Sequence, residues 1–343
     1  MERNIHWFNE EDESQKRRNR RAAIALAAAL VGLLALLTIL LLFLHRQTSD
    51  LAASASAPPA SPTAALSAAA VQSDSSEPGA TANAETGLLV TFLDVGQGDC
   101  VFLQSPSGNT LLVDGGPEGA AQAVLDFLDQ KGVVGLDAVI ASHLHADHIG
   151  GLISVIDTYP VGVFYDPPFD AESETYYQLR DSLEENHVTV LSPLASKDAL
   201  IDWDRDVEIR ILSPYGIDYG RVDDFNDTSY ILRVTYGSTS LLLAGDATQV
   251  AEKLALKALP NSYFKADVLK IGHHGSSDST GTKFLDAVNP SIAIISCGLN
   301  NEYGHPDQKL LDRLNKRNIT IYRTDQDGSI TLLLDGTNVK VLK

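Results

Sequence analysis

The apolar positions fall into two regimes. From 22 to 44 they are continuous: the stretch has no charged side chain and consists almost wholly of Ala, Leu, Ile, Val and Phe. As a helix rising roughly 1.5 Å per residue, it is long enough to cross a hydrocarbon core of about 30 Å. Its apolarity on every face argues against a buried helix of a water-soluble domain. From residue 87 the apolar residues come instead in short runs. Those at 88–93, 100–104 and 110–113 predict strands joined by Gly-rich or Ser-Pro-Ser-Gly-Asn turns. Helical spacing follows over 118–130, where Ala121, Val124, Leu125 and Leu128 share a face.

Further along, the pattern predicts strands at 137–142, 161–165 and 188–191, with helices at 149–157 and 172–186. The second half predicts strands at 207–212, 230–236, 240–244, 268–271, 292–296, 321–322 and 330–334. Helices are expected there at 249–258, 282–288 and 307–316. Two β-rich halves interleaved with helices predict two packed sheets with helices outside, an α/β architecture. Between the two regimes, residues 45–86 are dominated by Ala, Ser, Pro and Thr. They carry too few large apolar groups to offset the entropy of folding, and predict a flexible, disordered linker.

Charge adds a topology. Lys16, Arg17, Arg18, Arg20 and Arg21 precede the apolar stretch, and His45 and Arg46 follow it. This bias predicts a cytoplasmic basic tail at 1–21, a transmembrane signal anchor at 22–44 and an extracellular domain at 87–343. The run is longer than the roughly 7–15-residue core of a cleaved signal peptide. Cleavage beyond it, for example at Ala53-Ser54-Ala55, would make the domain a secreted one. The 343 residues contain 26 basic and 45 acidic side chains, a net −19. Residues 1–86 hold 7 and 9 of these, so 87–343 holds 19 and 36, a net −17. That balance excludes a protein that coats nucleic acid through bulk positive charge. Two cysteines exclude a disulfide-rich scaffold.

The strongest local signal is Ser142-His143-Leu144-His145-Ala146-Asp147-His148, after a predicted strand and before a predicted helix. Three imidazoles and a carboxylate so close together converge if the chain wraps as a loop around a metal, and they suit Zn²⁺ and similar borderline ions. Two fragments sit at further strand ends: Gly245-Asp246 and His273-His274-Gly275-Ser276. Taken alone, Asp246 also reads as a helix N-cap and the His pair as a polar loop. Together with the first cluster they supply ligands for a second metal.

These fragments, with Phe92-Leu93-Asp94-Val95-Gly96-Gln97-Gly98-Asp99, Leu112-Val113-Asp114-Gly115-Gly116 and Asn301-Glu302-Tyr303-Gly304-His305-Pro306, run in family order through 88–343. The chain resembles the metallo-β-lactamase fold and, within it, the hydrolase domain of the ComEC competence-protein family in a singly anchored form. The resemblance implies an αββα sandwich at 87–343 with one or two divalent ions, Zn²⁺ or Mn²⁺, and no organic cofactor. It implies that His143 and His145 hold the first ion, that Asp147, His148 and His274 hold the second, and that Asp246 bridges them. His273 is left to contact an oxyanion, so Asp147, Asp246 and His273 are the catalytic expectation. Asp114 is expected to orient a metal-bound imidazole, and Asp94, Gln97 and Asp99 to edge the cleft. His305 either reaches the substrate or simply precedes the last helix.

Two departures from the fold's usual pattern matter. Where many members carry a further His, this chain reads Asp224-Phe225-Asn226-Asp227-Thr228-Ser229. Asp227 or Asn226 substitutes as a ligand there, or the stretch is an Asx turn before a strand. Conversely, His145 stands where many ComEC domains have Asp, which favours retained metal chemistry. Coordination lowers the pKa of water towards about 7. The expected activity is therefore hydrolysis of a phosphodiester or related ester, in nucleic acid or a phosphate-containing wall polymer, outside the cytoplasmic membrane. The competing readings are hydrolysis of C–N or C–O esters such as β-lactams or lactones, and a non-catalytic surface-anchored binding protein. A DNA-import channel is not expected, since the one predicted span cannot build a polytopic channel.

Overall fold

A computed structural model describes residues 87–216 and 224–342. The basic tail, the apolar stretch at 22–44 and the linker at 45–86 lie outside the described residues. Among those described, no helix is long and apolar enough to cross a membrane.

Six strands open the domain: β1 (Leu88–Phe92), β2 (Val101–Gln104), β3 (Thr110–Val113), β4 (Leu136–Ile140), β5 (Val161–Tyr165) and β6 (Thr189–Leu191). Seven more form a second sheet: β7 (Leu200–Asp204), β8 (Val207–Ser213), β9 (Ile231–Tyr236), β10 (Thr239–Leu243), β11 (Val268–Lys270), β12 (Ile292–Ile295) and β13 (Thr320–Arg323). The chain then returns to the first sheet with β14 (Ile330–Leu334) and β15 (Val339–Val341). The first sheet runs β15-β14-β1-β2-β3-β4-β5-β6 and the second β13-β12-β11-β10-β9-β8-β7. Pairing from β3 to β6 and from β10 to β13 is parallel, and the remaining pairs are antiparallel.

Alternation along the strands divides the apolar residues into three cores. Leu88, Val90 and Phe92 of β1 face Ile209, Ile211, Leu241 and Leu243 of the other sheet. The opposite face of the first sheet, with Phe102, Leu112 and Val139, packs on α1 (Ala121–Gln130), α2 (Ala146–Thr158) and α3 (Glu174–Glu185). The outer face of the second sheet, with Leu242, Leu269 and Ala293, is covered by α4 (Gln249–Ala258), α5 (Thr282–Val288) and α6 (Gln308–Asn315). Helices thus cover the outer face of each sheet. Cys100 and Cys297 are both free thiols within these cores.

One expected boundary moves in a way that matters. The helix predicted at 149–157 begins at Ala146, because His145 takes an extended N-cap conformation and its carbonyl accepts from His148 N and Ile149 N at 3.0 Å. Asp147 and His148 therefore sit on the first turn of α2 rather than in a loop. Two close backbone approaches hold this turn against its neighbours. A Cβ on Gly98 would lie 2.3 Å from the Asp147 carbonyl oxygen, and one on Gly151 2.0 Å from that of Gly115. Only glycine fits at either position.

Candidate metal centre

Parallel strands aim their carboxyl ends at a common edge, where α/β sheets place their ligands. Asp114 follows β3, Ser142 and His143 follow β4, Asp246 follows β10, and His273-His274 follow β11. At this edge Asp114 Oδ1 accepts from Ser142 N at 2.6 Å, and Oδ2 accepts from Ser142 Oγ at 2.7 Å. Asp114 Oδ2 also takes His148 Nδ1 at 2.9 Å, which turns His148 Nε2 inward. His274 is oriented the same way: its Nδ1 donates to the Ser296 carbonyl at 3.1 Å. Its Nε2 lies 3.2 Å from Asp147 Oδ2 and 3.3 Å from Asp246 Oδ2. Asp246 Oδ2 is also 3.3 Å from His148 Nε2 and 3.9 Å from His143 Nε2. His143 Nε2 in turn is 3.1 Å from His145 Nδ1. Asp246 itself is held by its backbone N, which donates to Ser229 Oγ at 3.2 Å.

The donor set fits a divalent cation. Asp99, His148, Asp246 and His274 are all buried, each offering a ligand atom within 4.8 Å of the others. Asp99 Oδ1, His148 Nε2 and Asp246 Oδ1 are buried without a hydrogen-bond partner, an arrangement that costs free energy unless a cation is accommodated. Asp99 stands apart in one respect. It approaches the two rings from behind, at 3.9 Å from His148 Nδ1 and 3.5 Å from His274 Nδ1, whereas Asp147 and Asp246 meet the inward Nε2 atoms. An ion on the Nε2 side is thus within reach of Asp147, His148, Asp246 and His274, with Asp99 supporting the rings.

Charge in the cluster is tightly coupled. Burial and the neighbouring His148 push His143 well below the ordinary imidazole value, leaving the neutral ring that ligates metals. Burial opposes the charged forms of His148 and His274, but the nearby carboxylates raise both well above that value. Burial likewise opposes ionised Asp246, and the two imidazoles hold it well below the carboxylate range. A divalent ion among these groups would release the imidazole protons, because ligation requires the neutral ring.

Several expectations need correction. Asp99 does not edge the cleft: it is 2% exposed and pairs through Oδ2 with the ammonium of Lys270, itself 1% exposed. Asp94 does not reach the cleft either; it is exposed, and its Oδ1 accepts from Gly96 N at 3.1 Å to close the turn. Asp227 turns away, accepting from the Thr248 hydroxyl that caps α4. Asn226 is the member of that pair brought to the site, with Nδ2 3.4 Å from His273 Nε2. The Asx turn expected as an alternative is also present, made by Asp224 Oδ1 and Asn226 N at 2.9 Å. His273 bonds Asp278 Oδ1 at 3.1 Å; burial works against its charge, but that bond raises its pKa. Gln97, Asn226, His273 and His305 line a cavity of about 220 Å³ over the centre, together with His145 and Asp147.

Lys270 was not anticipated. Its signal was a single charge inside the apolar run 268–271, 171 residues from its partner Asp99. Its Nζ also donates to the Gly245 carbonyl at 3.2 Å, tying the Asp99 turn to the turn that delivers Asp246.

The model of the metallo-beta-lactamase superfamily matches residues 93–299. ComE operon protein 3 of Bacillus subtilis (strain 168) is 35% identical over 259 residues, covering 70% of this chain and 32% of that protein. Competence protein ComA of Neisseria gonorrhoeae is 33% identical over 258 residues, covering 75% and 34%. The chain thus spans about a third of the length of the curated relatives it matches. Among solved structures, Zn²⁺-bound PqqB from Methylobacterium extorquens superposes with a TM-score of 0.51 at 13% identity, over 72% of this chain and 100% of that one. That likeness is one of fold.

Proposed function

The chain belongs to the metallo-beta-lactamase superfamily, and from that premise we propose that it is a metal-dependent hydrolase that cleaves a phosphodiester or related ester. The observation that carries the reading is the convergence of Asp147, Asp246 and the Nε2 atoms of His148 and His274 at the strand ends, with His148 Nε2 and Asp246 Oδ1 buried and without hydrogen-bond partners. Asp147, His148, Asp246 and His274 would hold one ion, and His143 and His145, sharing Asp246, a second. A divalent ion bound there supplies a water of lowered pKa and positive charge opposite the reacting group. Asp114 keeps His148 in the tautomer that presents Nε2, and the Ser296 carbonyl does the same for His274. His273, backed by Asp278, and Asn226 face the cavity with hydrogen-bonding groups that suit a phosphoryl oxygen. The likeness to Competence protein ComA of Neisseria gonorrhoeae supports a phosphoester of nucleic acid over a wall polymer. The basic tail and the 22–44 stretch support export of the domain on a membrane anchor.

The test is metal analysis of the purified full-length chain together with Mn²⁺- or Zn²⁺-dependent turnover of bis(p-nitrophenyl) phosphate, DNA and a β-lactam. Turnover of the phosphodiesters, lost in Asp246→Ala, is the expected result. No bound metal and no turnover with any ion would sink the hydrolase, and turnover of the β-lactam alone would move the substrate class. For the anchor, protease added to intact cells should release the domain by cutting within 50–85; protection despite proven access contradicts export.

A further inference from the structure

Residues 276–281 form no helix or strand, yet His273 depends on them. Asp278 Oδ1 bonds His273 Nδ1 at 3.1 Å. Thr280 Oγ1 accepts at 3.1 Å from the backbone N of Gly272, the residue before His273. The ring and the backbone that presents it are therefore both tied to this segment. Thr280 itself sits at φ 47°, in the left-handed region that a β-branched residue adopts only under strain. Such a conformation persists only where the surroundings impose it.

Two charged side chains from different helices impose it. Glu252 of α4 is 2% exposed, and its carboxylate accepts from Thr280 N and, at 2.8 Å, from Gly281 N. Arg313 of α6 takes the carbonyls. Its Nη1 donates to those of Ser279 and Thr280 at 3.2 and 2.8 Å, and its Nη2 to that of Ser277 at 3.0 Å. A planar guanidinium can hold several acceptors at fixed angles in this way, which a lysine ammonium cannot. Gln249, also on α4, adds two bonds, from its N to the Asp278 carbonyl at 2.8 Å and from Nε2 to that of Ser277 at 3.1 Å. Burial pushes the Glu252 carboxyl up to about 7, a cost that an apolar residue packed at this position would avoid. Neither Glu252 nor Arg313 lines the cavity over the centre.

We propose that Glu252 and Arg313 are positioning residues, which clamp segment 276–281 between α4 and α6 and, through Asp278 and Gly272, hold His273 in the orientation that faces the cavity. The effect on turnover rests on the hydrolase reading above; the clamp itself does not. His274 is spared, because its ring is fixed separately by the Ser296 carbonyl at 3.1 Å. Loosening the clamp therefore leaves the ion in place and misaligns the group beside it, and a small misplacement of a group that contacts the reacting centre is felt in the rate.

The test uses the purified full-length protein at pH 8, where Glu252 is ionised. Glu252→Gln keeps the shape but turns an amide NH2 towards one of the two backbone N–H groups, and Arg313→Lys keeps the charge but loses the fork. In EDTA, hydrogen exchange read by mass spectrometry should be about tenfold faster over 272–281 in either variant, with the strands of the first sheet unchanged. No change in that segment overturns the clamp, and an equal rise along the whole domain in both variants makes the two residues merely structural. With Mn²⁺ and bis(p-nitrophenyl) phosphate, kcat should fall about tenfold while KM and bound metal stay the same. In a His273→Ala background Glu252→Gln should add little. A full further loss there, or loss of the ion from Glu252→Gln alone, overturns the action through His273. Without turnover in the unmodified protein the hydrolase reading falls, and the exchange rates then decide the clamp by themselves.

Discussion

The two halves of the candidate centre are built differently. On the side of Asp147, His148 and His274, both imidazoles have their outward nitrogens fixed, His148 by Asp114 at 2.9 Å and His274 by the Ser296 carbonyl at 3.1 Å. Behind these rings lies the buried Asp99–Lys270 pair. On the other side, His143 Nδ1 meets the Ser142 hydroxyl at 3.2 Å, while its Nε2 faces His145. His145 itself is only half-buried. A ligand locked by a second partner loses little freedom when it binds an ion, whereas one that must still be ordered gives up affinity. For a centre that takes two ions, as proposed above, the difference predicts one held tightly and one more weakly.

Asp246 is the strongest handle on the comparison because both halves share it. Its Oδ2 lies 3.3 Å from the Nε2 atoms of His148 and His274 and 3.9 Å from that of His143. Asp246→Ala is expected to remove both ions and to lower turnover by about 10²–10³-fold or more. Metal analysis that still finds one ion would show the halves to be independent.

Next in size is the support behind the fixed half. Removing one partner of a buried ion pair leaves an uncompensated charge and costs about 3–5 kcal/mol. Lys270→Met should therefore lower the melting temperature by about 10 °C in a domain of this size. Adding Asp99→Asn should recover much of the loss, since the orphaned charge is then gone. A Lys270→Met protein that melts like the unmodified one would remove the pair from the account.

Lys270 also marks where the sequence stopped being legible. The ligand-type residues stood out because three imidazoles and a carboxylate crowd into residues 143–148, and the parallel β–helix alternation placed that strand end beside those of Asp246 and His274. Supporting residues give no such signal: a lysine in 268–271 looks like an interruption until the fold brings Asp99 to it. The same holds for Asp99 and Asp94, five residues apart in one motif, where only the turn geometry sends one inward and the other to solvent. Strands β7 and β15 were missed for a local reason. Leu200–Asp204 carries two acidic residues among five, and Val339–Val341 is too short to show a period.

A smaller effect separates the halves directly. Asp114 touches His148 and no other imidazole of the cluster within hydrogen-bonding distance. Partners of this kind typically change metal affinity by about 10–100-fold when altered. In a calorimetric Mn²⁺ titration, Asp114→Asn should weaken the tighter ion by about that factor and the weaker one less, since Asp114 reaches His143 only through the Ser142 hydroxyl. Two ions of equal affinity before the substitution would erase the asymmetry.

The finest test concerns what completes the weaker half, where Asn226 and Asp227 were both candidates. Asp227 accepts a hydrogen bond from Thr248 and so helps to start α4, while Asn226 Oδ1 is buried at the cavity without a hydrogen-bond partner. Asp227→Ala should therefore cost about 1 kcal/mol of stability, the worth of one side-chain hydrogen bond, with both metal affinities unchanged. Asn226→Asp keeps the shape and adds the carboxylate that the half lacks, so it should tighten the weaker ion specifically. If Asp227→Ala loosens that ion instead, the loop must turn over when metal binds and bring Asp227 inward. The weaker half would then be assembled by its ion, in contrast to a tighter half already held in place by Asp114 and Ser296.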